Sequence, residues 1–262
     1  MNIELHGPGR AGGALAIAAH RCGHRIVGIH GRSTEAVDAL STMVPVESGT
    51  PDLRVVAVSD DAIGVVAREL AEAPSVTTVH VSGSVPVSAL EPIRQAGGLV
   101  GSFHPLQTLP SPVAGADSLP GAWVAITATS PLDGFLATFA RSLGCVPFDL
   151  SDDNKAVYHA AAASAANYPL AALALAQRLF ESSGVPFEAS RPLVEAIVEN
   201  AYAMGPEAAL TGPIARGDTG TVSRQLAAVA SVGETEDLVF RSFAKGTARI
   251  AGADADMDEA IG

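Results

Sequence analysis

The chain has 262 residues, enough for two ordinary domains. Hydrophobic residues make up 48% and charged residues 17%, so a substantial core can be buried and general disorder is excluded. The net charge of -12, with no Lys/Arg-rich run, argues against nucleic acid or an anionic membrane as partner.

The first element is a short strand at residues 2–6, with Ile3 and Leu5 apolar. Gly7-Pro8-Gly9-Arg10-Ala11-Gly12 follows at once and fits G-x-G-x-x-G, between a strand and a helix on small residues at 13–21. In that setting Gly7 makes the tight turn, Gly9 leaves room for a pyrophosphate, and Gly12 lets the helix approach the strand. Free amides at the helix start would hold the phosphates, so residues 7–12 are predicted to bind a dinucleotide. A second strand spans 25–29 and ends in His30-Gly31-Arg32-Ser33, with no carboxylate before Glu35. A ribose 2′-hydroxyl needs an acid here, whereas a 2′-phosphate suits the planar donor fork of Arg32 and the hydroxyl of Ser33. The expected cofactor is therefore NADP(H), with Arg10 as a possible second cation.

Next come a helix at 34–40, an apolar strand at 53–58 and a helix at 63–71, for which Asp60 and Asp61 are expected to act as caps. A fourth strand at 76–81 leads into Ser82-Gly83-Ser84, and a helix at 87–96 into a fifth strand at 99–103. Ligands bind outside the carboxyl ends of such strands, so Ser59 and Ser82 are expected to face the cofactor. Ser84, His104 and Gln107 are expected to face a substrate. Gln107 and Thr108 could instead serve only the loop backbone. A strand at 123–127, a helix at 132–143 and a last strand at 146–150 complete an alternation that predicts a doubly wound parallel sheet.

From Ser151 no strand pattern remains, so residues 1–150 are expected to form the dinucleotide domain and 151–262 an all-α domain. Helices are predicted at 151–167, 170–182, 191–204, 206–210, 222–230 and 234–251, with Pro169 kinking or interrupting the first run. The acidic tail after Gly252 is expected to fray. Lys155 and His159 lie four apart and share a helix face, which suits proton donation to a carbonyl under reduction. Arg216 and Asp218, in a Gly/Pro-fixed loop, can grip a carboxylate and orient the arginine or a hydroxyl. The two cysteines, Cys22 and Cys145, form neither a disulfide framework nor a metal-ligand spacing, and no metal is expected. The N-terminus lacks a signal-peptide pattern, and the Ala-rich stretch at 160–176 is a poor membrane span, so a cytoplasmic location is expected.

The chain also resembles a bacterial family whose C-terminal half is catalogued as domain of unknown function 2520. The resemblance rests on residues 7–12, on Gly101-Ser102-Phe103-His104-Pro105-Leu106-Gln107, on Lys155 with Tyr158-His159-Ala160, on Asn167-Tyr168, and on Gly212-Pro213 with Arg216-Gly217-Asp218. It implies kinship with ketopantoate reductases and β-hydroxyacid dehydrogenases, and a homodimer paired through the helical domain. β-Hydroxyacid dehydrogenases place Asn four residues after the catalytic Lys. Here His159 holds that position, and Asn167 is the alternative support. The leading expectation is an NADPH-dependent reductase of a small 2-keto acid, ketopantoate first, with Lys155 as proton donor. Reduction of a cyclic imine is the second reading, and an NADP(H)-sensing binding protein without turnover the third.

Overall fold

A computed structural model describes residues 1–262, which divide into two compact units, 1–163 and 164–262. The first unit is built on β1 (Asn2–His6), β2 (Arg25–His30), β3 (Leu53–Val56), β4 (Thr77–His80), β5 (Val100–Leu106), β6 (Trp123–Thr127) and β7 (Val146–Asp149). These form one seven-stranded sheet in the order β2-β1-β3-β4-β5-β6-β7. Helices α1 (Arg10–Arg21), α2 (Thr34–Met43), α3 (Ile63–Leu70), α4 (Glu91–Gln95), α5 (Pro112–Ser118) and α6 (Leu132–Ser142) connect the strands.

Strand alternation divides the core between the two faces of the sheet. Ile3, Leu5, Val55 and Val79 pack with Leu15 of α1, Leu40 of α2 and Leu136 and Phe139 of α6. Val56 packs on the other face with Ile63 and Ala67 of α3 and with Leu90 and Ile93. That second face is not helix-covered throughout. Val46 adds a single bridge beside Ile26, and the chain then returns to β3 through a loop in which Gly49 lies against Asn2 and Val27. Polar Glu4, His6 and Arg54 occupy the face so left.

Two features of this sheet differ from the sequence expectation. β6 runs antiparallel to β5, whereas every other neighbouring pair is parallel. An antiparallel neighbour needs no full crossover, and the connection carries only α5, an element the sequence pattern does not announce. Its close seat on α1 depends on small residues, with Gly13 against Pro112 and Gly115 against Ala14. The second difference is that β5 continues through Pro105 to Leu106. Pairing with β4 ends at His80 and Ser102, so beyond that point Pro105 has no ladder bond to donate on that side.

Helix α7 (Lys155–Ser182) begins in the first unit and continues into the second, unbroken at Pro169. Proline removes one backbone bond, but the alanine-rich turns on both sides have high helical propensity and carry the helix through. The second unit adds α8 (Arg191–Met204), α9 (Pro206–Ala209), α10 (Thr219–Ala230), α11 (Glu234–Ala251) and α12 (Ala255–Ile261). The acidic tail is thus helical rather than frayed. Asp254 caps it by accepting from Met257 N at 3.2 Å, and Met257 and Ile261, one turn apart, are buried against Val222, Leu226, Ala244 and Ala248. Arg241 Nη1 closes its end on the Ile261 carbonyl at 2.6 Å. No helix is long and apolar enough to cross a membrane.

Candidate active site

The glycine loop has the sterics its spacing demands. Gly7 has φ 105°, and a side chain there would meet the Ala57 carbonyl oxygen at 2.4 Å. A side chain at Gly12 would meet the Gly7 carbonyl oxygen at 2.0 Å and Ala57 Cβ at 2.9 Å, so α1 can sit this close to β1 and β3 only with glycine. Gly9 is different: nothing lies within 4 Å of the Cβ it lacks, and its role is to leave space. Gly9 also stands at the N-cap of α1 without a side-chain cap, so the first amides of the helix point into that space. His30 completes the turn by accepting from Gly7 N at 2.8 Å through its carbonyl. At the end of β2, Arg32 is exposed, and Ser33 Oγ caps α2 by accepting from Ala36 N at 3.2 Å while its proton stays free to donate.

At the carboxyl ends of β3, β4 and β5 the structure gathers a second group. His80 pairs with Ser102 across the ladder, and Ser102 and His104, two apart on β5, face the same side of the sheet. Lys155, the first residue of α7, is only 1% exposed and donates from Nζ to Ser102 Oγ at 2.7 Å. Tyr158, nearly one turn on, places its hydroxyl 2.7 Å from His104 Nδ1. Gly83 makes room for the His104 ring, since a side chain there would meet the imidazole at 2.8 Å. The start of α7 is tied down by Asp152, whose carboxylate accepts from Val87 N at 3.0 and 3.1 Å.

Burial sets the protonation of this group. It pushes the Lys155 amine below its ordinary value, with Asp152 opposing. His80 is fully buried, and burial with the nearby charge of Lys155 holds it down to about 4. Burial, His159 and Lys155 do the same to His104, also to about 4. Tyr158 is pushed up to about 12 by burial. At neutral pH the cluster therefore holds two neutral imidazoles, a neutral phenol and one amine that gives up its proton more readily than a free lysine.

Several sequence expectations are redirected. Asp60 does not cap a helix; its Oδ2 accepts from Ser84 Oγ at 2.8 Å and links the ends of β3 and β4. Asp61 is held low by the Ser59 hydroxyl and by backbone amides, against slight burial, so Ser59 serves that carboxylate. Ser82 Oγ accepts from Ser84 N at 3.2 Å and Val85 N at 3.1 Å and shapes the turn. Gln107 is taken up by its loop, donating to the Ser118 carbonyl at 3.1 Å and accepting from Thr108 N at 2.8 Å. His159 is exposed, its ring 6.3 Å from that of His104. In the second unit Asn167 and Arg216 are exposed, and Asp218 caps α10 by accepting from Thr221 N at 2.9 Å. His80 and Asp152 were not anticipated. The legible signal for His80 is a histidine closing an apolar strand just before Ser82-Gly83-Ser84.

Residues 122–247 match the family model described as "Domain of unknown function (DUF2520)". Residues 122–247 thus carry the likeness to that domain. Lys155, Tyr158, Asn167 and Arg216 all fall within the matched stretch, whereas the glycine loop lies outside it. A Bacteroides fragilis protein assigned as an NADP oxidoreductase is 25% identical to this chain, with a TM-score of 0.81 over 95% of this chain and 98% of that one. An imine reductase of Streptomyces aurantiacus shares the fold at 16% identity and TM-score 0.70 over 100% of both chains. A Myxococcus stipitatus imine reductase in complex with NADP+ shares it at 16% identity and TM-score 0.65, over 96% of this chain and 93% of that one. No curated protein matches the sequence.

Proposed function

We propose that this protein is an NADPH-dependent reductase of a small 2-keto acid, ketopantoate first among substrates, with Lys155 as the proton donor. The observation that carries this reading is the buried amine of Lys155, fixed 2.7 Å from Ser102 Oγ among the strand ends where a Rossmann-like sheet binds its ligands. Bound NADPH supplies a hydride to a carbonyl carbon. The residues suited to hold it are Gly7, Pro8, Gly9, Arg10, Ala11 and Gly12 at the phosphates and Arg32 with Ser33 at the 2′-phosphate. The empty volume at Gly9 and the uncapped start of α1 support that fit. As negative charge forms on the carbonyl oxygen, a lysine with a lowered pKa is well matched to donate to it. Ser102 keeps the amine in place, and the neutral imidazole of His104 positions the Tyr158 hydroxyl beside it.

A second reading, reduction of a cyclic imine, is favoured by the Tyr158 hydroxyl, a neutral donor held by His104 that can protonate a C=N nitrogen. Both readings rest on the first unit. The homodimer expected from the sequence finds support in α8, which has no buried residue yet exposes Leu193, Ile197, Val198 and Tyr202.

The reading is tested by following NADPH oxidation with a panel of 2-keto acids beside cyclic imines. Turnover with a keto acid and none with imines is the expected result. A protein that binds NADPH but consumes none with either class contradicts both readings. Gly9→Ala separates cofactor binding from folding. The added methyl meets no protein atom, so the thermal midpoint should hold while NADPH affinity falls at least about tenfold, because the methyl occupies the space meant for the pyrophosphate. Fluorescence titration beside a thermal melt measures both.

A further inference from the structure

The strand that feeds the glycine loop carries a second cluster, which the proposed reduction does not use. Glu4 and His6, two apart on β1, face the same side of the sheet, and the register sets His30 of β2 beside His6 and Arg54 of β3 beside Glu4. In the same register row Val56 separates His6 from His80. The rings of His6 and His30 stack with centroids 4.6 Å apart. Arg54 is buried, donating from Nε to Glu4 Oε2 at 2.5 Å and from Nη1 to the Ala73 carbonyl at 2.6 Å. The other carboxylate oxygen, Glu4 Oε1, meets His30 Nε2 at 3.0 Å. His6 Nε2 is buried with no hydrogen-bond partner, and Glu4 Oε2 is 3.8 Å away. Gly28 provides the room: a side chain there would meet His30 Nε2 at 2.9 Å and Glu4 Cγ at 3.2 Å.

We infer that Glu4, His6 and His30 form a binding site for a divalent transition-metal cation of the zinc class. Their three ligand atoms all lie within 4.8 Å of one another. Ligand atoms around a tetrahedral zinc ion are about 3.3 Å apart, so the widest pair has to close by no more than about 1.5 Å. His30, half exposed on the strand at the end of the sheet, can supply that movement. Arg54 holds one oxygen of Glu4 and leaves the other for the ion, as an outer partner that orients a ligating carboxylate does. Two imidazoles with one carboxylate select zinc, cobalt or nickel over magnesium and calcium, which prefer oxygen throughout. Burial and the adjacent His30 ring keep His6 neutral at pH 7, with its lone pair available. To ligate, His30 Nε2 gives up the proton it shares with Glu4 Oε1 and offers its lone pair to the ion, leaving the fourth position to water.

Untagged protein, stripped with a chelator, tests the site by calorimetric titration with Zn²⁺ and by the visible spectrum of added Co²⁺. The expected result is one ion per chain and the intense visible bands of a tetrahedral cobalt centre. His30→Ala should weaken Zn²⁺ binding at least about tenfold. His30→Gln, which retains a polar group beside Glu4, should do the same, whereas His20→Ala, in the last turn of α1 and outside the cluster, should leave affinity unchanged. Zn²⁺ should also raise the thermal midpoint of the wild type and not that of His30→Ala. Absence of stoichiometric binding, or variants at His30 that bind as tightly as the wild type, overturns the assignment. These readouts are independent of NADPH turnover.

Discussion

Lys155→Met is expected to lower kcat for NADPH oxidation by about 100- to 10,000-fold, the range for loss of a positioned proton donor. Methionine nearly preserves the volume of the buried stem, so the packing around Ser102 should survive and only the amine is lost. NADPH affinity should change little, because no atom of Lys155 belongs to the glycine loop. The loss should appear in kcat and kcat/KM together, as it does when an interaction made in the transition state is removed. A second consequence distinguishes donation from mere support. The Lys155 charge helps hold His80 and His104 down, so both imidazoles should titrate higher in the variant, and NMR of the ring protons would report it. Retention of most of the wild-type kcat would remove Lys155 from the chemistry. A fallen thermal midpoint with unchanged kcat would make it a structural residue.

The glycine loop was legible because its demands are local. A turn with positive φ and a helix forced against a strand each allow one residue type, and the spacing writes them into the sequence. Lys155 was legible for a similar reason, as a lysine one helical turn from a histidine in an alanine-rich run. The group it joins was less so. Pro105 reads as a strand end, and that reading hides the fact that Ser102 and His104 share one face of a longer strand. The antiparallel entry of β6 is what extends β5, and it depends on a packing of α5 on α1 that no periodicity displays. The Glu4–His6–His30–Arg54 cluster is a product of register, including a shift between Ile3 and Glu4, and register is set by the assembled sheet. The α12 tail misled through composition. Its acids face water, but Met257 and Ile261, four apart, determine its fate.

Acidification should unfold this protein well above the usual carboxylate range. Burial holds His6, His80 and His104 down to about 4 in the folded chain, against the ordinary 6.5 when unfolded. Well above pH 6.5 all three are neutral in either state, and their full contribution to stability is present. As pH falls through 6.5 the unfolded chain takes up three protons that the folded chain refuses, so stability drops by roughly 4 kcal/mol per pH unit until the folded imidazoles protonate near 4. The accumulated loss, on the order of 10 kcal/mol, is comparable to the whole stability of an ordinary domain. Neighbouring charges shape the window: Lys155 and His159 deepen the depression at His80 and His104 while Asp60 opposes it, and His30 and Arg54 deepen it at His6 while Glu4 opposes it. Urea denaturation at intervals from pH 7.5 to 4.5 measures the slope, with a constant m-value confirming that only stability has changed. His104→Asn removes one of the three protons and should cut the slope between pH 6 and 5 by about a third. A midpoint that stays flat down to pH 5 would mean that the imidazoles are already charged in the folded protein. The Lys155 amine would then sit among cations, too crowded to hold the proton that reduction requires.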